Sequence, residues 1–357
     1  MTIAHRIAVA QPRLSGSIVL EPSKSLSNRA LIIRSMCNTP FDIHHLSVSD
    51  DSKVLVKMLS SSDDKLYAGH AGSSYRFMVA RACLGNKEVT LEASPQLSRR
   101  PIGPLVRALR ILGADITYQG KEGFPPVLIK PNPDLGVKSN EVTLQAGISS
   151  QYISALLMIA PLLPHGLNLF LSDDPVSVSY VHMTLRMMEY FGITSTWTDN
   201  LIRIKPGKYI AKDISIEGDW SAASYFYSCA ALSESATIEI EGLNELSLQG
   251  DQEVRMIYER LGVTTHFNEK GIVLTKAGRH RSETGAGAKE VFQYDFSHCP
   301  DLAQTVMVTL AGLGIKGELS GLKTLRIKET DRIAAMQMEL ARVKTILEVE
   351  EKDGDVV

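Results

Sequence analysis

One pattern recurs along this chain and limits what it can fold into. A small or polar segment opens a helix with an apolar face, and a second helix then ends in glycine ahead of a strand. Five openings can be counted: Pro22-Ser23-Lys24-Ser25, Ala71-Gly72-Ser73-Ser74, Gly147-Ile148-Ser149-Ser150-Gln151, Gly218-Asp219-Trp220-Ser221 and His298-Cys299-Pro300-Asp301. The closures Leu112-Gly113-Ala114, Phe191-Gly192-Ile193 and Leu261-Gly262-Val263 stand ahead of strands expected at Asp115–Tyr118, Thr194–Trp197 and Thr264–Phe267. A glycine just past a helix takes the left-handed conformation that ends it. The fifth unit has Lys344-Thr345 at that point, and so a weaker stop. Repeated two-helix units with strands between them predict a layered α/β repeat architecture. Each opening also puts Ser, Asp or Gly at a helix N-terminus, where free backbone N–H groups and the helix dipole favour anions. Plain N-capping accounts for any one of them. Several aimed at one cleft would form a strong anion site.

Length and charge set the bounds. At 357 residues the chain is too long for one small core, which points to two domains. Lys plus Arg is 38 and Asp plus Glu is 40, a net charge of −2. No overall basic field points to nucleic acid, so an anionic ligand needs a local cluster. Cys37, Cys83, Cys229 and Cys299 lack metal-type spacing and read as buried or incidental thiols in a reducing compartment. Met1–Leu14 has no long apolar stretch of the signal-peptide kind, and the most apolar run, Ala155–Leu163, is too short to cross a bilayer. A cytoplasmic protein without membrane contact is expected. The nine histidines show no ligand spacing, and the adjacent His44 and His45 would face opposite sides of a strand, so no metal site is expected.

Three groups of residues could carry chemistry. In Lys24-Ser25-Leu26-Ser27-Asn28-Arg29, Ser25 and Arg29 share a helix face and Lys24 sits at the helix start, a combination suited to phosphate. A solvated basic turn would look the same. In Arg326-Ile327-Lys328-Glu329-Thr330-Asp331-Arg332, Lys328 and Arg332 are four apart and Glu329 and Arg332 three apart, as on an exposed, charged helix start. Arg76 and Arg100 follow small or polar stretches, and Arg100 precedes Pro101-Ile102-Gly103, just before a helix with proline near its start. An arginine held there can grip phosphate or carboxylate in bidentate fashion; a surface arginine is the plainer alternative.

Taken together, these clusters resemble the EPSP synthase family. Pro-Ser-Lys-Ser-x-Ser-Asn-Arg-Ala at 22–30 and Arg326–Arg332 resemble its two signatures. Ser49-Asp50-Asp51, Ala71–Arg76, Arg100–Gly103, Ser149-Ser150-Gln151, Glu217-Gly218-Asp219 with Ser221 and Ala223–Phe226, Leu248–Asp251 and Pro300-Asp301 fit in order along the whole chain. The resemblance implies a two-domain enolpyruvyl transferase fold built from βαβαββ units. Five of six units would be present: three in a central domain, 22–216, and two in a domain made of 1–21 plus 217–357. The sixth unit's Asp-His-Arg and Lys motifs are not found before Val357, so the sequence is either a fragment or a shortened, impaired protein.

The implied reaction moves the enolpyruvyl group of phosphoenolpyruvate to the 5-hydroxyl of shikimate 3-phosphate and expels phosphate. By resemblance, Asp301 is the hydroxyl-side base, Glu329 serves the methylene carbon, and Lys24 bridges both ligands. Shikimate 3-phosphate would be held by Lys24, Ser25, Arg29, Ser149, Ser150, Gln151, Ser177, Asp301, Thr324 and Lys328. Phosphoenolpyruvate would be held by Lys24, Gly72, Arg100, Gln151 and Arg332. No cofactor is implied, a monomer is expected, and the herbicide glyphosate would compete at the phosphoenolpyruvate site. Two alternatives stand: a shortened chain that binds without turnover, and an enolpyruvyl transferase acting on UDP-N-acetylglucosamine. The latter usually shows Lys-Asn where this chain has Lys24-Ser25.

Overall fold

A computed structural model describes residues 13–145, 149–172, 177–277, 291–352 and 355–356. Gly147 and Ile148 of the third opening, and the N-terminal residues 1–12, lie outside the described residues. The elements begin with β1 (Arg13–Val19), α1 (Lys24–Arg34), β2 (Ile43–His44), α2 (Asp50–Ser60), β3 (Lys65–Tyr67), α3 (Gly72–Ala82), β4 (Val89–Glu92), α4 (Gly103–Ile111), β5 (Asp115–Tyr118) and β6 (Val127–Lys130). They continue with β7 (Glu141–Leu144), α5 (Ser150–Ile159), β8 (Leu167–Leu171), α6 (Val178–Tyr190), β9 (Ser195–Thr198), β10 (Leu201–Ile204) and β11 (Ile214–Ser215). Then come α7 (Trp220–Leu232), β12 (Ser235–Glu241), α8 (Val254–Glu259), β13 (Thr264–Asn268), β14 (Gly271–Lys276), β15 (Phe292–Asp295), α9 (Ala303–Leu313), β16 (Gly317–Ser320), α10 (Arg332–Arg342) and the short β17 (Glu351–Lys352) and β18 (Asp355–Val356).

The chain separates into two compact units: residues 21–217 with 248–250, and residues 1–20 with 218–247 and 251–357. In the first of these, two four-stranded sheets share one plan, β3-β4-β6-β5 and β7-β8-β10-β9. The leading pair of each is parallel and the other pairs are antiparallel. The other unit has a sheet of the same plan, β1-β12-β14-β13, with β1 parallel to β12 in the register Arg13↔Ser235. A parallel pair cannot be joined by a hairpin. The crossovers are α3 between β3 and β4, α5 between β7 and β8, and α9 between the parallel β15 and β16. Three of the openings found in the sequence therefore lie where the chain leaves a parallel strand and starts a buried helix.

Alternation fixes which strand faces are buried. Val89 and Leu91 of β4, Leu167, Leu169 and Leu171 of β8, and Ala236, Ile238 and Ile240 of β12 point inward. Helix α5 is buried from Tyr152 through Ile159, as an all-apolar helix should be. One apolar cluster fills each unit.

Gly113, Gly192 and Gly262 follow α4, α6 and α8 with φ of 99°, 87° and 84°, so the predicted closures occur. Two expectations shift. The strand after Gly192 starts at Ser195 rather than Thr194. His45 does not continue a strand beside His44 but leaves β2 with φ 55°, so the two rings do not flank a sheet. After α10, Lys344 takes the left-handed conformation at φ 60° that glycine takes elsewhere. A side chain there costs about 1 kcal/mol. Lys344→Gly is expected to stabilise the protein by about 0.5 kcal/mol at most, since glycine's looser unfolded state offsets much of the gain. Urea denaturation reads this as a raised midpoint, and a lowered midpoint would contradict it.

Candidate functional site

Helix starts usually carry Asp or Glu, because the dipole leaves positive charge there. Among the described residues of the 21–217 unit only α2 does, with Asp50 and Asp51; the first turns of α1, α3, α4, α5 and α6 have none. Helix α1 instead begins with Lys24, half-buried and without an ion pair among the described residues. A cation at a positive helix end repels its surroundings until an anion arrives. Ser23 precedes it as a buried residue held by its backbone N–H to Glu217 O (2.8 Å) rather than by a side-chain cap.

The densest cationic cluster lies at the start of α3. A Cβ on Gly72 would come within 2.7 Å of Arg100 Nη1 and 3.0 Å of Arg76 Nη1. Glycine leaves room for both guanidinium ends beside this helix start, and a side chain there would displace them. Arg76 is aimed by Gln151, whose Oε1 accepts from its Nη1 at 2.5 Å, and by the Tyr152 ring 5.4 Å from its guanidinium carbon. The segments before Gly72 and before Arg100 are tied together. Ser94 N donates to Gly69 O (2.9 Å), and Ser94 Oγ lies 2.8 Å from His70 Nδ1. Gln151 comes from the start of α5, where Ser149 Oγ accepts from Gln151 N at 3.3 Å and Ser150 is buried. The proline in the first turn of α4 is Pro104; Pro101 lies ahead of the helix.

Arg29 differs from its sequence expectation. It does share a face of α1 with Ser25, but it points into the protein and is 3% exposed. Nε donates to Thr184 Oγ1 (2.7 Å), Nη1 to Ser25 O (2.9 Å), and Nη2 to Ser154 Oγ and Tyr180 O (both 3.1 Å). Burial lowers its pKa to about 10. Four of a guanidinium's five N–H groups are thus spent on fastening α1 to α5 and α6. Ser177 caps α6 as a buried residue in the left-handed region, φ 56°.

The other unit carries a mixed-charge cluster. Asp301 lies in a short 3-10 turn ahead of α9. Its Oδ1 meets Arg332 Nη1 at 2.8 Å and Lys328 Nζ at 3.3 Å, and all three side chains are 20–28% exposed. Arg332 Nη2 also donates to Glu329 Oε2 at 3.0 Å. Lys328 and Arg332 do not share a helix, contrary to their spacing. Helix α10 starts at Arg332, capped by Asp331, whose side chain accepts from Ala334 N. Lys328 and Glu329 stand in the turn before it, and that turn is what lets both cations reach one carboxylate oxygen. Thr324 is buried, with no hydrogen-bond partner for its hydroxyl among the described residues.

Asp251 is the member that sequence reasoning missed as a site residue, though Leu248–Asp251 stood out as a motif. It is 4% exposed and accepts from Ser221 Oγ. Burial, then the charge of Asp301, pushes its pKa up to about 7. Its sequence neighbours, Gln249, Gly250, Gln252 and Glu253, carry no signal of this burial. Arg76, named in the sequence but not assigned to a ligand, belongs with Arg100. Among the described residues, no group of His, Cys, Asp or Glu could hold a metal ion, and no helix is long and apolar enough to cross a membrane. All four cysteines are free, Cys83 and Cys299 buried, Cys37 partly buried and Cys229 exposed.

Comparison with known proteins is consistent along the chain. Residues 54–356 match the family model described as EPSP synthase (3-phosphoshikimate 1-carboxyvinyltransferase). A 3-phosphoshikimate 1-carboxyvinyltransferase of Bacteroides fragilis is 41% identical over 339 residues, spanning 95% of this chain and 80% of that protein. The Cronobacter sakazakii protein of the same name is 33% identical over 373 residues, 94% of this chain and 82% of its own. In fold, the chain is similar to EPSP synthase from Acinetobacter baumannii, with a TM-score of 0.73 at 20% identity, covering 96% of this chain and 81% of that one.

Proposed function

The chain belongs to the EPSP synthase family, and from that membership we propose how its residues divide the work of enolpyruvyl transfer. The activity is transfer of the enolpyruvyl group of phosphoenolpyruvate to shikimate 3-phosphate, a step of aromatic amino acid biosynthesis. Lys24, Gly72, Arg100, Gln151 and Arg332 take phosphoenolpyruvate, with Arg76 added to them. Lys24, Ser25, Ser149, Ser150, Gln151, Ser177, Asp301, Thr324 and Lys328 take shikimate 3-phosphate. Arg29 enters with one remaining N–H and chiefly holds α1 in place. Asp301 receives the proton of the 5-hydroxyl as its oxygen bonds to C2 of phosphoenolpyruvate, and Glu329 serves the methylene carbon. The repeated sheet plan supports a reading of five βαβαββ units, three within 22–216 and two within 1–21 plus 217–357. We place the protein in the cytoplasm as a monomer.

The observation that carries the assignment is the pair of guanidinium groups closing on Gly72. A phosphate or carboxylate there meets two guanidinium groups and a helix N-terminus at once. The test is phosphate release from phosphoenolpyruvate plus shikimate 3-phosphate, run alongside calorimetric binding of each. Release with saturation in both supports turnover. Binding without release would leave the ligand assignments and remove the catalytic ones. Neither binding nor release would overturn the whole reading. A finer check is Gly72→Ala, whose methyl would push Arg100 and Arg76 aside. Losing about one charge-assisted contact should weaken phosphoenolpyruvate about 10-fold while leaving shikimate 3-phosphate binding within about 2-fold. Equal weakening of both would count against the placement.

A further inference from the structure

We propose that Asp251 is a positioning residue for Asp301: a buried carboxyl, braced by Ser221, whose neutral form leaves Asp301 as the anion on which Lys328 and Arg332 converge. This rests on the reading of Asp301 as the hydroxyl-side base and deepens it.

The geometry separates the two carboxyls. Asp301 is one-fifth exposed, and two cations converge on its Oδ1. Asp251 is 4% exposed, has no ion pair, and its one hydrogen-bond partner among the described residues is the Ser221 hydroxyl. A carboxylate taken out of water with a single neutral donor is strongly disfavoured, and the neutral acid is the form such a place accepts. The charges around it agree. Asp301 at the turn before α9 and Asp219 ahead of α7 disfavour its ionisation, while Lys328 from the turn before α10 favours it more weakly. The nearby Cys299 thiol, itself pushed up by burial and by Asp251, adds no positive charge. Burial is the largest of these influences, and the pKa near 7 follows from it.

The placement of Ser221 is built in. It sits in the first turn of α7, which Asp219 caps through Ala222 N at 3.1 Å. Helix α7 is pinned to α9 by Ser224 Oγ, 3.0 Å from Thr305 Oγ1, just past Asp301. Ser221 and Asp301 thus stand at the starts of two helices joined by this contact, with Asp251 bonded to the first. With Glu329 counted beside Arg332, the charges of Asp301, Glu329, Lys328 and Arg332 balance while Asp251 is neutral. An ionised Asp251 tips that balance to net negative and repels an anionic substrate. Anion affinity and turnover should then fall as pH rises through about 7.

The test uses carbonyl-13C aspartate NMR on the ligand-free full chain, with Asp251→Asn and Asp301→Asn to assign the two signals. Asparagine keeps an acceptor for Ser221 and nearly the same volume. The expected result is one carboxyl titrating near pH 7 that disappears in Asp251→Asn, together with a lower titration midpoint for Asp301 in that variant. In the turnover assay, the fall in rate above neutral pH should be absent from Asp251→Asn. A wild-type protein in which Asp251 is ionised well below pH 6, or an Asp301 midpoint that Asp251→Asn leaves in place, overturns the proposal. The titration needs no turnover, so a protein that releases no phosphate would count against the catalytic reading while the NMR still decides this one.

Discussion

Lys24→Met is expected to lower phosphate release about 10³-fold and to weaken binding of both phosphoenolpyruvate and shikimate 3-phosphate. Lys24 is the first residue of α1, whose first turn holds no acid, and it makes no ion pair among the described residues. Its charge therefore has no internal use and sits where the dipole already favours an anion. Removing one charge-assisted contact costs about 1.5–3 kcal/mol, or roughly 10- to 100-fold in each binding constant. The larger loss in rate reflects the charge that moves onto the phosphate as the intermediate collapses, which a fixed ammonium stabilises and a thioether does not. Methionine keeps the length and the apolar stem, so the fold should be unchanged within about 0.5 kcal/mol. Calorimetry with each ligand and a phosphate-release assay measure the effect, with circular dichroism as the control. Turnover within about 3-fold of the parent would remove Lys24 from the mechanism.

The sequence showed the repeats because their signals are local. Ser49, Ser149, Asp219 and Asp331 each cap a helix from one residue away, and Gly113, Gly192 and Gly262 end theirs through their own φ. Such rules need no knowledge of the rest of the chain. Lys344 marks the limit of the closing rule: the lysine adopts the glycine conformation and α10 ends anyway. The site was legible only as residue types. Arg29 and Lys24 look alike in a basic stretch, yet one is buried among Thr184, Ser154 and Tyr180, over 120 residues away, and the other is not. Spacing suggested a helical pair for Lys328 and Arg332, whereas a turn brings them together on Asp301, about 30 residues upstream. Asp251 was missed for the same reason. Its chemistry comes from burial and from one serine 30 residues earlier, and neither is visible in a window of neighbours.

Asp301→Ala separates chemistry from binding and is expected to act in opposite directions on the two. Turnover should fall about 10²- to 10⁴-fold, the usual loss for a positioned general base. Affinity for phosphoenolpyruvate, whose binding set does not include Asp301, should not fall with it. Asp301 is the acidic partner on which Lys328 and Arg332 converge, at 3.3 and 2.8 Å. Once it is gone, Lys328 loses this carboxylate and Arg332 keeps Glu329, and the local charge rises by one unit. At the one-fifth to one-quarter exposure of these side chains the gain is damped by solvent, so a tightening of roughly 2- to 10-fold for phosphoenolpyruvate is expected. Glu329→Gln provides the contrast. Glu329 is 54% exposed and pairs with Arg332, so solvent damps the loss of its charge, and binding should change less than in Asp301→Ala while the methylene proton transfer slows. Calorimetric titration beside the rate measurement resolves these terms. If Asp301→Ala weakened phosphoenolpyruvate as much as it slowed turnover, Asp301 would be holding the site together rather than taking the hydroxyl proton, and the division of labour among Asp301, Lys328 and Arg332 would have to be redrawn.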